Sequence, residues 1–257
     1  MPAKSGKRVK ALDNAMDIVD AITRLQGAGV TELSEEVGIS KSAVYKHLST
    51  LERRGYVVRT IDQKYDLGLP WLTYGGYARN RALPIQRIQT VVRELATETG
   101  ELVLFSTLVN NSSMPLYHAR GEHAVTTDSY AGVELPLHCT ATGKAILAAM
   151  GDRANPVLDQ IDLDRCTDNT HTTRSELDGD LDRIREHGYS LEDEERIDGM
   201  RGVGAAITNE KTGEVLGAIA LTGPTHRVNG EWFRESIPNL LANQAREIEL
   251  NITYETR

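Results

Sequence analysis

Cysteine is almost missing from this chain: Cys139 and Cys166 are the only two in 257 residues. That excludes a disulfide scaffold and a four-cysteine zinc site, and it fits a reducing cytoplasm. Phenylalanine and tryptophan are equally sparse, at two each. No run of roughly 18 apolar residues occurs, so no membrane-spanning helix is expected. The first ten residues, MPAKSGKRVK, are basic but lead into no apolar stretch, so a secretory signal is not expected either. Lysine is also scarce, supplying 8 of the 29 basic residues.

What is present is ordinary globular material: 40% hydrophobic and 26% charged side chains. The length favours two domains over one. Charge divides unevenly between them. Residues 1–83 hold 13 Lys and Arg against 9 Asp and Glu, a net of +4, within a total of −8. The remainder, with 16 basic and 28 acidic residues, carries −12. Such a chain presents only one end to a polyanion. Few lysines and Asp-rich stretches such as DQIDLDRCTD and DGDLDRIREHG suit a salt-adapted protein, as in a halophile; they suit an ordinary acidic protein equally.

Apolar spacing predicts an amphipathic helix over 11–26, stopped by Gly27 and Gly29. Thr31 is the expected cap of a short helix ending at Gly38, and Ser40 the cap of a longer one ending at Gly55. YVVRT and KYDLGL read as two strands joined by a turn. Three helices and a hairpin within about 70 residues are a winged helix-turn-helix arrangement. Its third helix turns Val44, Leu48 and Leu51 one way, leaving Lys41, Ser42, Tyr45, Lys46 and Ser49 off that stripe. Together with Ser40, Arg53 and Arg54, and with Arg59, Gln63 and Lys64 in the wing, these are the candidate contacts to double-stranded DNA. A small helical packing module with a polar face is the alternative.

Residues 70–83 read as a connector that begins helically and carries a glycine pair. Pro84 opens a long helix that stops near Gly100. ELVLFSTLV and MPLYHA are strand-like around an NNSS turn, and VTTDSY is a further strand candidate. A helix is expected from Thr140 or Ala141, another over LDGDLDRIREHG, then strands GYSLEDEE, GVGAAITN and EVLGAIALTG, and a closing helix over 231–253. Hairpin-linked strands mixed with helices make an α+β domain with an antiparallel sheet.

GISKSAVYKHLSTLERRGYVVR…YDLGLPWLTYG resembles the winged helix of IclR-type transcriptional regulators. LPLHCTATGKAILA resembles that family's first effector-domain signature, and GYSLEDEERIDGMRGVGAAI…GEVLGAIALTGPTHRV its second. Order and spacing agree over residues 8–253. The resemblance implies a DNA-binding domain at 1–69, a connector at 70–83, and a GAF-like effector-binding and oligomerisation domain at 84–257. It implies a cytoplasmic homodimer or homotetramer on a pseudo-palindromic operator, controlling catabolic genes through a small metabolite, with no catalytic activity and no cofactor.

In the second signature, the positions matching the family's ligand-holding groups are Glu192, Gly202, Ala220 and Thr222. The cysteine that often follows the signature arginine is absent here, where the run is Arg201-Gly202-Val203-Gly204, and a frequent serine is Ala220. A charged Glu192 disfavours a small keto acid, and the glycines leave room, so a larger polyhydroxylated or sugar-derived ligand is expected, with an organic acid as the alternative. Thr140, Thr142 and Gly143 offer donors at a helix start, or Gly143 simply permits close packing. Gly143-Lys144 lacks the surrounding residues of a phosphate loop. His118, His123, His138, His171, Cys139 and Cys166 show no metal-ligand spacing, so no metal is expected. The acidic run at 192–195 is most simply a solvated loop. An enzyme with a fused DNA-binding head and a ligand-independent scaffold are the rival functions.

Overall fold

A computed structural model describes residues 8–82 and 85–255. Pro84, Lys4 and Lys7 fall outside the described residues. The chain forms two compact units, Met1–Arg81 and Ala82–Arg257.

The first unit contains α1 (Lys10–Arg24), α2 (Val30–Val37), α3 (Lys41–Arg53), the hairpin β1 (Val57–Arg59) and β2 (Tyr65–Leu67), and α4 (Pro70–Ala82). Ile18, Ala21, Ile22, Leu33, Val44, Leu48, Val57 and Tyr65 meet in one core. The apolar stripe of α1 is only partly used, because Leu12 and Met16 stay 63% and 42% exposed. Helix α2 starts before the expected Thr31. The Glu32 carboxylate reaches back to accept from the Gly29 N–H at 2.8 Å, so Gly29 is the cap. Gly38 closes α2 with φ 72°, a left-handed conformation that favours glycine. Ser40 caps α3 as expected, its hydroxyl accepting from the Ala43 N–H at 3.3 Å. The connector is helical over Pro70–Ala82, straight through its glycine pair. Its start is latched to the hairpin: Trp71 Nε1–H donates to the Tyr56 carbonyl at 2.9 Å, and the Tyr56 and Tyr74 hydroxyls bond at 2.8 Å.

The second unit opens with α5 (Ile85–Thr99), β3 (Leu102–Val109) and β4 (Ser112–Arg120). Asn110 and Asn111, at φ 48° and 62°, make the tight turn between those strands. Then come α6 (Ala141–Met150), the short α7 (Asn155–Leu158), α8 (Arg174–His187), β5 (Ser190–Asp193), β6 (Met200–Asn209), β7 (Glu214–Pro224) and α9 (Ile237–Glu255). The five strands form one antiparallel sheet in the order β4-β3-β7-β6-β5. One face packs on α5 and α9 through Val92, Leu95, Phe105, Val203, Ile219, Leu241 and Ile248. The other face carries α6, with α8 behind it.

VTTDSY is not a strand. Thr127 Oγ1 accepts locally from the Ser129 N–H at 3.3 Å, and the Asp128 and Ser129 side chains turn to Arg196. Helix α8 begins earlier than its apolar spacing suggests, because Thr173 and Glu176 form a reciprocal cap. A single π turn, Trp232–Ser236, leads into the closing helix.

Candidate functional site

The head presents one polar face. On α3, Lys41, Ser42, Tyr45, Lys46 and Ser49 are all exposed opposite the buried Val44 and Leu48, with Ser40 and Arg53 exposed at the two ends. Arg54 is also exposed and stands 5.6 Å from the Tyr56 ring centroid. Arg59 is engaged within the hairpin. It pairs with Glu52 at 3.3 Å, stacks 4.8 Å from the Tyr65 ring, and reaches Gln63 at 3.5 Å. Gln63 itself stands at φ 62° in the turn, and Lys64 beside it is half-buried. The sequence reading passed over Ile61, which is wholly exposed at the hairpin tip.

In the second unit a small cavity lies between α6, the sheet and the 127–135 and 192–200 segments. Its free volume is about 40 Å³. Thr140, Thr142, Glu192, Ala220 and Thr222 line it, and Arg196, Ser129 and Cys139 join them. Leu104, Leu135, Ile197 and Met200 supply the apolar part. Local folding explains this grouping. Thr140 ends an extended approach and caps α6, accepting from the Gly143 N–H at 3.1 Å and donating to the Pro136 carbonyl at 2.7 Å. The Thr142 hydroxyl bonds Ser113 Oγ at 2.8 Å. Glu192 comes from β5, and its Oε1 accepts from the backbone N–H groups of Glu195 and Arg196 at 2.7 and 3.2 Å.

Three expectations need correcting. Gly143 is not among the lining residues, and a Cβ there would stand 2.4 Å from the Leu137 carbonyl; its N–H is taken by Thr140, so packing explains it. Gly202 and Gly204 do not leave room. A Cβ on Gly202 would meet Ala141, Glu192 and Thr222 at 3.2–3.3 Å, and one on Gly204 would meet the Ala141 carbonyl at 2.6 Å. These glycines let α6 lie directly on β6, where Ser190 Oγ donates to the Ala141 carbonyl at 2.6 Å. Finally, the acidic run is no solvated loop, because Glu192 and Glu195 are only 5% and 6% exposed.

Electrostatics explains how that run is tolerated. Lys144, fully buried, reaches from α6 to Glu195 Oε1 at 2.5 Å, Asp180 Oδ2 at 2.7 Å and the Leu191 carbonyl at 2.7 Å. Burial opposes its charge, but Glu195 and Asp180 outweigh that and hold the ammonium above its ordinary value. His171, Asp180 and Glu195 hold ligand atoms within 4.8 Å of one another, and the cation among them is Lys144. Asp180 and Glu195 also line a wider, open cleft of about 620 Å³, together with His171, Arg183, His187 and Tyr189. Glu192 has no such partner. Burial, then the neighbouring Glu195 charge, pushes its carboxyl up to about 8, against the two backbone N–H groups that favour ionisation. At neutral pH it is therefore mainly a neutral acid, able to donate one hydrogen bond. Arg196 places the opposite charge on the cavity wall, held by Ser129 Oγ at 3.3 Å and by Asp128.

Residues 11–60 match the family model of the IclR helix-turn-helix domain, and residues 80–250 match that of the Bacterial transcriptional regulator IclR C-terminal. The chain belongs to the IclR family. A probable HTH-type transcriptional regulator ArcR of Halobacterium salinarum is 30% identical over 250 residues, covering 96% of this chain and 95% of its own length. HTH-type transcriptional regulator BhcR of Paracoccus denitrificans is 31% identical over 256 residues, covering 97% and 90%. The crystal structure of the Thermotoga maritima IclR superposes with a TM-score of 0.77 at 27% identity, over 96% of this chain and 100% of that one. This IclR-family chain is thus a transcriptional regulator whose DNA-binding element is the helix-turn-helix. None of its helices, among the described residues, is long and apolar enough to cross a membrane.

Proposed function

We propose that this regulator works in the cytoplasm as a homodimer or homotetramer on a pseudo-palindromic operator, and that a small organic acid in the α6 cavity is its effector. The N-terminal face of α3 enters the major groove. Ser42, Tyr45 and Lys46 read base edges, while Lys41, Ser49, Arg53 and Arg54 hold phosphate. Gln63 and Lys64 of the wing touch the backbone, with Arg59 bracing the hairpin. Exposed apolar side chains support self-association: Leu12 and Met16 on α1, and Leu72, Tyr74 and Tyr77 on α4.

One observation carries the ligand class. Arg196 shares the cavity with a Glu192 that burial keeps protonated. A negative Glu192 would repel a carboxylate, but a neutral one donates to it, and Arg196 supplies the compensating charge. The guanidinium has five N–H donors, more than Asp128 and Ser129 take up. The tight glycines and the small free volume favour a short acid over a sugar.

Genome-wide DNA occupancy of the tagged protein, on several carbon sources, tests the regulator reading. Sharp palindromic sites beside catabolic genes are expected, and no discrete site on any carbon source overturns it. A thermal-shift panel of three- to eight-carbon carboxylic acids against polyols of equal size tests the ligand. Acids raise Tm, and Arg196→Gln removes the response. A polyol response that survives Arg196→Gln reverses the assignment.

A further inference from the structure

The two cysteines of this chain stand together. Cys139 Sγ lies 3.7 Å from Cys166 Sγ, although the two stand 27 positions apart in the chain. Random placement of two cysteines among 257 residues rarely puts them in contact. Their settings differ in a way that matters chemically. Cys139 is fully buried on the cavity wall, one residue before the Thr140 cap. Cys166 is exposed. Burial, then the neighbouring Cys166, pushes the Cys139 thiol well above its ordinary value, so Cys139 is the poorer first nucleophile.

The loop carrying Cys166 is pinned where it stands. His138 Nε2 bonds the Asp164 carbonyl at 3.0 Å on one side. On the other, the Thr167 hydroxyl donates to the Glu194 carbonyl and the Thr170 hydroxyl to the Glu195 carbonyl, each at 2.6 Å. The Cys166 N–H itself donates to Thr170 Oγ1 at 3.0 Å. Both flanks of the thiol pair are therefore tied to the segment that forms the cavity. A disulfide needs its sulfurs at about 2.05 Å, so they must close by roughly 1.6 Å, a shift within reach of side-chain rotation.

We propose that Cys139 and Cys166 are an oxidation site, a dithiol that a hydroperoxide converts to an intrachain disulfide, with Cys166 attacked first and Cys139 resolving. The Cys166 thiolate attacks one oxygen of the hydroperoxide. The O–O bond breaks, the leaving alkoxide takes up the proton that Cys166 released on ionising and departs as alcohol (water for hydrogen peroxide), and Cys166 becomes a sulfenic acid. The Cys139 sulfur then attacks the Cys166 sulfur. The S–O bond breaks, and hydroxide leaves with the Cys139 proton as water. Two thiols lose two electrons and the hydroperoxide gains them. The product draws the Cys139 side of the wall toward the 164–170 loop, so the redox state is written into the cavity. That last consequence alone rests on the cavity being the effector site.

The test uses the reduced full-length protein and hydrogen peroxide. Wild type is expected to lose both thiols, to become two hydrogens lighter by intact mass without any dimer, to give a peptide linking 139 to 166, and to recover on dithiothreitol. Cys166→Ser is expected to slow oxidation of Cys139 at least tenfold at the same peroxide dose. Cys139→Ser is expected to stop at Cys166 carrying one or more added oxygens. A wild-type product that gains oxygens without the crosslink, or crosslinks between chains, overturns the site. Equal oxidation of Cys139 in Cys166→Ser overturns the order. Hydrogen exchange over 136–145 separates the two claims: slower exchange after oxidation supports the link to the cavity, and unchanged exchange with the disulfide present removes that link but leaves the site.

Discussion

Lys144 shows how much one buried charge can organise. Its ammonium is the partner of two carboxylates that are themselves nearly out of water, with Asp180 held below the usual carboxylate range: burial raises it, but Lys144 outweighs that. Removing one member of a buried ion pair leaves the rest uncompensated and typically costs about 3–5 kcal/mol. Lys144→Met keeps most of the stem volume, so its loss reads the charge alone. Urea unfolding at pH 7 should show a loss of that order, shrinking as pH falls toward 5 because the stranded carboxyls can then protonate. A pH-independent loss would assign the effect to packing. Glu192 gives the opposite sign. Its folded-state value of about 8 lies above the ordinary 4.5, so the native state binds more protons than the unfolded state between them. The stability it contributes is complete below 4.5 and is lost as pH rises through 8. Glu192→Gln keeps the acceptor for the Glu195 and Arg196 N–H groups and cannot ionise. It should match wild type at pH 5 and exceed it by roughly 3–5 kcal/mol at pH 8.5. Parallel stability curves would mean that Glu192 ionises normally.

At the level of elements, the helices were legible wherever a cap and an apolar stripe agreed. Ser40 and Thr140 cap α3 and α6 because each is a hydroxyl residue followed by helix-period spacing. Thr31 misled because Glu32 reaches back to Gly29, a contact that the spacing 29–32 does encode. VTTDSY misled because threonines favour strands on average, while here Thr127 Oγ1 accepts from the Ser129 N–H and the Asp128 and Ser129 side chains turn to Arg196. In the cavity, Thr140, Thr142, Glu192, Ala220 and Thr222 could be reached through motif resemblance. Arg196 could not, because it sits in a charged run with no period, and only the bend after β5 turns it inward. Nor could the burial of Glu195, whose partner lies 51 residues away on α6. Helix α3 carries the clearest consequence of the head. Arg53, at its exposed end, is assigned to phosphate and Tyr45, on its exposed face, to a base edge. Operator affinity measured from 0.1 to 1 M KCl should therefore separate the two. Arg53→Ala should lower the slope of log affinity against log salt by about one, since one released counterion is lost. Tyr45→Ala should leave the slope alone and weaken binding by a similar factor at every salt concentration. Identical slopes for both variants would move Arg53 off the phosphates.

The whole molecule poses a problem of charge that neither unit poses alone. The acidic remainder carries −12 while residues 1–83 carry +4. Like charges on a compact body repel, and salt relieves that repulsion: the screening length falls from about 10 Å at 0.1 M to about 3 Å at 1 M. The same salt weakens the attraction of the basic head for phosphate. A protein working in molar KCl would gain stability through one unit and lose electrostatic affinity through the other, so base-edge contacts and oligomerisation would have to supply more of the binding. Few lysines suit such a protein, and they suit an ordinary acidic one equally. Calorimetry across 0.1 to 3 M KCl checks this. Tm should climb by about 10 °C or more, because the repulsion is spread over many carboxylates rather than held in one pair. Sucrose raised to the same osmolality, which leaves charges unscreened, should give a smaller rise. If Tm is flat in KCl, the acidic surface is already compensated by its own arginines, as in the pairs Arg174–Asp178 and Arg201–Asp193, and the chain is an ordinary acidic regulator.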